Sequence, residues 1–185
     1  VDLNLHILEE LKFLGNTRYF NACSSECFGD TGSKKADEGY RFNPITPYGK
    51  AKTTAFWLLD MYRKKFKIHA SSGLLFNHES VLRSDNFVSK KIINTAKKIH
   101  NGIDLKLYLG NINVIRDWGW APEYVYAMWL MTQQDVPDDY VVATGKSHSL
   151  KTFVEKVFLR FGLNFSQHVH IEKKLFRKNE IINSN

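Results

Sequence analysis

Two apolar stretches, and what lies between them, constrain this chain most. Residues 18–24 (Arg-Tyr-Phe-Asn-Ala-Cys-Ser) and 68–76 have the length and composition of buried strands. Between them a helical stretch opens at Pro47 and carries Phe56, Trp57 and Met61 as far as Lys65. Proline suits a first helical turn, where its missing N–H is not needed. Strand, helix and strand in close succession predict two parallel strands joined by a crossover, because a tight turn cannot join parallel neighbours. The expected class is α/β. Ligands of such sheets gather at the carboxyl ends of the strands. Ser24-Ser25-Glu26 and Asn77-His78-Glu79-Ser80 stand at those ends and are expected to open on one crevice. The stretch 27–46, rich in Gly, Asp, Asn and Pro, reads as one long loop, and loops of that length are usually functional.

Elsewhere, Leu3, Leu5, Leu8, Leu11 and Leu14 ahead of Gly15 predict a helix over 2–14. Further helices are expected over 86–100, 122–133 and 150–161, and strands over 105–109 and 140–143. The polar tail after Asn179 is expected to be loose. With 43% hydrophobic residues in 185, the chain can bury a substantial core. No apolar run approaches the roughly 20 residues of a membrane span. The opening Val1-Asp2-Leu3-Asn4 has no signal-peptide character. A cytoplasmic protein without membrane partners is therefore expected. Cys23 and Cys27 are too few for a disulfide framework or a metal site and read as reduced packing residues. The net charge of +7 is spread over runs such as Lys97-Lys98 and Lys173-Lys174 with no nucleic-acid-binding signature beside it. It reads as a solvated face that also suits a diphosphate-bearing substrate.

Tyr48 and Lys52 lie four apart, one above the other on a helix face. An ammonium so placed is expected to lower the phenol from its ordinary value of about 10 toward neutrality. The phenolate would then take a proton from a sugar hydroxyl. On spacing alone, a surface Tyr and Lys on an amphipathic helix remains the alternative.

The neighbouring residues narrow that choice. Ser24-Ser25-Glu26 with Phe28-Gly29, then Pro44-x-Thr46-Pro47-Tyr48-Gly49-x-Ala51-Lys52, Asn77-His78-Glu79-Ser80, Asn86-Phe87-Val88, Arg116-Asp117-Trp118-Gly119 and Ala143-Thr144-Gly145 occur in this order. Together they resemble the extended short-chain dehydrogenase/reductases and, within them, the GDP-mannose 4,6-dehydratase family. Tyr-x-x-x-Lys marks only the superfamily, whereas Asn-His-Glu-Ser and Arg-Asp-Trp-Gly mark the GDP-mannose branch. The resemblance implies the C-terminal part of a Rossmann-like parallel sheet with a smaller substrate-binding subdomain. Residues 1–80 would form the catalytic end of the sheet and 81–185 mostly the substrate-binding part, with a returning strand near 140–143.

The implied enzyme is a carbon-oxygen lyase with tightly held NADP, acting on GDP-mannose in GDP-fucose and deoxysugar biosynthesis. Hydride leaves C4 of the mannose, water is lost across C5 and C6, and the hydride returns to C6. By resemblance Tyr48 takes the C4 hydroxyl proton, Lys52 holds the phenol acidic and binds the nicotinamide ribose, and Ser24 bonds the same hydroxyl. Glu26 would be base at C5 and acid at the C6 hydroxyl; its bland alternative is a solvated loop carboxylate. His78 and Arg83 match cofactor-contacting positions, Arg83 toward a neighbouring subunit's NADP phosphate. Asn77, Val88, Lys91, Arg116, Arg177 and Glu180 match positions that hold the GDP part, although Lys91 equally suits a helix surface. Arginine fits diphosphate through its planar fork of donors. The intact family is expected to be a dimer or tetramer.

Some residues depart from the family pattern. Val81-Leu82 stand where the family has Pro-Arg, Trp120 for His, Glu123 for Asp, and Ser24 for the usual Thr. The glycine-rich turn that receives a cofactor pyrophosphate does not occur among the 185 residues. Val1 is accordingly expected to correspond to a point roughly 100 residues into a family member. A partial domain is the leading expectation. A related nucleotide-sugar epimerase or dehydratase, or a non-catalytic remnant that associates with an intact homologue, remains the alternative.

Overall fold

The computed structural model describes residues 1–185. Its first half comprises helix α1 (Asp2–Leu11), strand β1 (Arg18–Ala22), a 3-10 turn (Ser25–Cys27), helix α2 (Pro47–Phe66), and strands β2 (His69–Leu75) and β3 (Asn77–Glu79). Helix α3 (Val88–His100), strands β4 (Leu107–Leu109) and β5 (Ile115–Trp120), helix α4 (Ala121–Gln133) and strand β6 (Asp139–Val142) follow. Strand β7 (Ser147–Ser149), helices α5 (Leu150–Arg160) and α6 (Phe165–His168), and strands β8 (Val169–Ile171) and β9 (Asn183–Ser184) complete the chain.

The expected crossover is present. Strands β1, β2 and β6 lie side by side in that order, all parallel, with Arg18 opposite His69 and Ser72 opposite Asp139. Helix α2 starts where it does because the Thr46 hydroxyl accepts the Gly49 N–H at 2.9 Å and Pro47 occupies the first turn. It stops at Lys67, whose φ of 57° is left-handed. Its inner face buries Leu59 and Tyr62 against Leu8 and Leu11 of α1, Ile68 just before β2 and Ala70 within it. The Arg63 guanidinium fixes the helix to β6 through both oxygens of Asp139, at 2.6 and 3.0 Å.

A second assembly centres on β5, which runs parallel to β3 and β9 and antiparallel to β7. Beside it, β4 and β8 form a parallel pair. Ile92, Ala96 and Ile99 of α3, Leu107 and Leu109 of β4, and Val154 and Phe158 of α5 share the largest apolar core. No helix is long and apolar enough to cross a membrane.

Three sequence expectations change. Helix α1 ends at Leu11, not residue 14, because Phe13 and Leu14 find no apolar partner and stay exposed. Residues 115–120 form a strand that their mixed polar and aromatic composition did not suggest. The tail is not loose: β9 pairs with β5, and Asp30 accepts the Ile182 N–H at 3.0 Å and the Asn183 amide at 3.2 Å.

Candidate active site

The chain leaves β1 at Ala22 and turns sharply, and that turn builds the site. Ser24 is extended and caps the 3-10 turn, its hydroxyl accepting the Glu26 N–H at 3.2 Å. Glu26 is thereby carried over the start of α2, where the Thr46 hydroxyl donates to its carboxylate at 2.6 Å. Thr46 thus serves two elements with one oxygen, capping α2 and holding Glu26. The approach is close: a Cβ on Gly49 would stand 2.7 Å from the Glu26 carbonyl oxygen, so the second helical residue after Pro47 must be small.

On the same helix Tyr48 is half exposed and Lys52 lies beneath it. The Lys52 ammonium donates to the Ala22 carbonyl at 2.8 Å, at the carboxyl end of β1, and sits 5.6 Å from the centre of the Tyr48 ring. The expected lowering of the phenol is therefore not what the chain itself provides. Burial pushes the Tyr48 phenol above its ordinary value; the Ser24 hydroxyl beside it works the other way and the Glu26 charge adds to the rise. The helical spacing was right, but the lysine's charge is directed at a backbone carbonyl. Ser24, Glu26, Tyr48 and Lys52 nevertheless converge at one strand end.

The remaining candidates fall into separate surroundings. Asn77 and His78 belong to β3, opposite Trp118 and Gly119. The His78 ring bonds through Nδ1 to the Phe76 carbonyl at 2.8 Å and stacks on Tyr124 at 4.7 Å. Tyr124 is buried, its hydroxyl has no hydrogen-bond partner, and burial followed by the Asp117 and Glu123 charges pushes its phenol up. Arg83 is already engaged. Its Nε lies 3.2 Å from the Glu79 carboxylate and its guanidinium sits 3.5 Å over the Phe87 ring, so a phosphate would have to displace both. Val88 opens α3, and Lys91 on that helix donates to the Tyr108 carbonyl at 2.9 Å.

The Arg116 side chain meets the chain's own backbone. Its guanidinium donates to the carbonyls of Ile115, Ile181 and Ile182 at 2.7 to 3.2 Å, holding down the C-terminal segment. Burial lowers its pKa; the Glu180 and Glu26 charges raise it and Arg177 lowers it. Arg116, Arg177, Glu180 and Glu26 therefore share one electrostatic neighbourhood, although Arg177 and Glu180 are remote from Glu26 in sequence. Asp117, next along β5, is buried and accepts the N–H groups of Thr144 and Lys146 and the Thr144 hydroxyl.

Sequence reasoning missed the roles of Thr46, Glu79 and Tyr124. The Thr-Pro pair at a helix start announces a cap, and Glu79 with Arg83 has i,i+4 spacing. The Tyr124 stack has no local sequence signal.

A family model described as GDP-mannose 4,6 dehydratase matches residues 4–184. The chain belongs to that family. GDP-mannose 4,6 dehydratase 1 of Arabidopsis thaliana is 47% identical over 166 residues, covering 90% of this chain and 46% of the relative. The GDP-mannose 4,6-dehydratase of Sinorhizobium fredii is 46% identical over 162 residues, covering 86% of this chain and 46% of the relative. The chain thus spans a little under half the length of these GDP-mannose 4,6-dehydratases. Among solved structures, the dTDP-glucose 4,6-dehydratase of Bacillus anthracis in complex with NAD superposes with a TM-score of 0.86 at 15% identity, over 97% of this chain and 56% of that one. At that identity the likeness is one of fold, and it agrees with the α/β architecture of parallel sheets and crossover helices.

Proposed function

We propose that this chain carries the acid-base centre of a GDP-mannose 4,6-dehydratase, an NADP-dependent lyase that converts GDP-mannose to GDP-4-dehydro-6-deoxy-mannose and water. One observation carries this reading. Glu26 is held at 2.6 Å by the residue that caps the helix bearing Tyr48 and Lys52, so a carboxylate and a phenol are fixed to one frame. An epimerase needs only the phenol and its lysine; loss of water across C5 and C6 also needs the carboxylate.

The residues present fit the nicotinamide end of the cofactor. Tyr48 is half exposed at the carboxyl end of the sheet, Lys52 lies under it, and the His78 ring has one nitrogen bonded and the other without a partner in the chain. Tyr48, Lys52 and His78 would hold that end, whereas Arg83 would first have to leave Glu79 and Phe87. Bound there, a nicotinamide would supply a hydride acceptor for C4 and a hydride donor for C6. Tyr48 accepts the C4 hydroxyl proton, and Ser24 orients that hydroxyl. Because burial holds the phenol high, proton transfer depends on the Ser24 hydroxyl beside it and on charge brought by the complex. Glu26 then takes the C5 proton, acidified by the adjacent ketone, and gives a proton to the C6 hydroxyl as water leaves. Thr46 keeps the carboxylate oriented through both transfers.

Asn77, Val88, Lys91, Arg116, Arg177 and Glu180 are proposed to surround the GDP part. Residues 1–80 are read as the catalytic end and 81–185 as mostly substrate-binding, with β6 the strand that returns to the sheet. A cytoplasmic dimer or tetramer belongs to the same reading. The test joins this chain to the part of a relative that it does not span and supplies GDP-mannose with NADP. Mass spectrometry should show loss of one water from the sugar nucleotide. A product of unchanged mass with altered sugar stereochemistry would identify an epimerase instead.

A further inference from the structure

Two thiols lie directly beneath the candidate site, and no step proposed above uses them. Cys23 follows β1 and Cys27 ends the 3-10 turn, so the pair brackets Ser24, Ser25 and Glu26. Their sulfurs are 3.4 Å apart and hydrogen-bonded, and both residues are buried. The sequence reading made them small packing residues, but packing does not require two sulfurs to meet head to head.

Their surroundings differ in a useful way. The Cys23 Sγ lies 3.6 Å from the Lys52 carbonyl. The Thr53 hydroxyl, buried and with no other hydrogen-bond partner, faces Cys27. The bond from Cys23 lowers the Cys27 thiol against the opposing effect of burial, with Thr53 helping, whereas the same bond and burial push Cys23 up. One sulfur is therefore suited to attack as thiolate and the other to follow as thiol. Burial slows a reagent's approach, and an open cavity lies next to the segment that follows Cys27. The Asn43 N–H bonds to the Cys27 carbonyl at 3.0 Å, and on the far side Asn43 and Phe28 line an open cavity of about 930 Å³.

We propose that Cys23 and Cys27 are a redox modification site, forming a reversible intrachain disulfide that loosens the Glu26–Thr46–Gly49 connection. Hydrogen peroxide is the oxidant. The Cys27 thiolate attacks a peroxide oxygen, the O–O bond breaks, and the departing hydroxide takes up the proton Cys27 lost, giving water. The Cys23 thiol then attacks the Cys27 sulfenic acid at sulfur; the S–S bond forms, the S–O bond breaks, and a second water leaves with the Cys23 proton. Two thiols lose two electrons and two protons, and one peroxide becomes two waters. Joining the sulfurs covalently draws them together by more than about 1 Å. Because the Gly49 backbone rests against the Glu26 carbonyl, the contracted turn must shift relative to the start of α2. Any consequence for catalysis rests on the function proposed above, whereas the disulfide and the loosening do not.

The test uses the 185-residue chain and no activity assay. After peroxide treatment in the native state, the protein is unfolded, alkylated with iodoacetamide and digested with trypsin; the peptide 19–34 contains both cysteines. The expected peptide is two hydrogens lighter, takes no alkyl group, and takes two after prior reduction with dithiothreitol. In Cys23→Ser the Cys27 sulfenic acid should persist and react with dimedone, whereas in Cys27→Ser the remaining Cys23 should stay open to alkylation. Amide exchange over 46–52 should be several-fold faster in the oxidised chain than in the reduced one. Two alkyl groups after peroxide, or a sulfinic acid as the main product, would overturn the disulfide. A disulfide with unchanged exchange over 46–52 would overturn the loosening.

Discussion

Around α3, β4 and α5, nine buried apolar side chains meet, Phe158 and Ile92 among them, whereas the sheet β1-β2-β6 buries Asn21, Ser71 and Ser72. The first region is held by apolar area, which is non-directional. The second adds directed bonds to its apolar contacts: Asn21 to the Ser72 hydroxyl at 3.3 Å, the Asp138 N–H to the Ser71 hydroxyl at 3.3 Å, and the Ser72 N–H to Asp139 at 3.0 Å. Close approaches accompany them, as at Gly73, where a Cβ would stand 2.8 Å from the Phe20 ring. The proposed chemistry sits on the second kind of scaffold, where a shift smaller than a methyl group displaces a functional atom. The two regions should therefore fail differently when altered.

The largest effect on stability belongs to the apolar region. Phe158→Ala, at a fully buried ring, should destabilise the chain by about 3–5 kcal/mol in urea unfolding. A loss below about 1 kcal/mol would mean that this core is not tightly packed and would blur the contrast. Next comes Gly49→Ala. In an open helix this change stabilises by about 1 kcal/mol. Here the new methyl meets the Glu26 backbone, so a net loss of roughly 1–3 kcal/mol is expected. A stabilised variant would show that the turn and helix are not in contact.

The smallest effect concerns pH. Burial alone would raise the Asp30 carboxyl, but the N–H groups of Gly32 and Ile182 and the Asn183 amide outweigh it and hold Asp30 below its ordinary value of 3.8. A depressed folded pKa contributes stability that is fully present above the ordinary value and disappears as pH falls through the folded one. The segment carrying β9 should therefore stay anchored above about pH 4 and show faster amide exchange at Ile182 as the pH is lowered further. Asp30→Asn should remove most of that pH dependence. Exchange at Ile182 that stays pH-independent after correction for the intrinsic rate would sever this link.

Much of the sheet was legible because its signals are local. The apolar stretches at β1 and β2 and the Thr-Pro start of α2 each declare themselves within a few residues. Strand β5 did not, because Arg116 and Asp117 are satisfied by backbone groups from other segments: Arg116 by the carbonyls of Ile181 and Ile182, Asp117 by the N–H groups of Thr144 and Lys146. The anchored tail was hidden for the same reason, since Asp30 and Ile182 stand 152 residues apart. At the site, residue spacing placed Lys52 under Tyr48, but the phenol expected to receive its charge is not the group that its ammonium meets. That group is the Ala22 carbonyl, 30 residues away. Arg83 shows the opposite case, since both its partners, Glu79 and Phe87, lie four residues away in the sequence.

Glu26 and Tyr48 are proposed to divide the chemistry, one at C5 and C6 and the other at C4. In a chain completed with a relative's remaining residues, reduced-cofactor absorbance and deuterium uptake at C5 from heavy water are followed together after adding GDP-mannose. Tyr48→Phe should abolish both signals. Glu26→Gln keeps the shape and removes the base, so reduced cofactor should still form while C5 exchange and loss of water fall by at least about a hundredfold. C5 exchange in Glu26→Gln at the parent rate would assign the base to another residue.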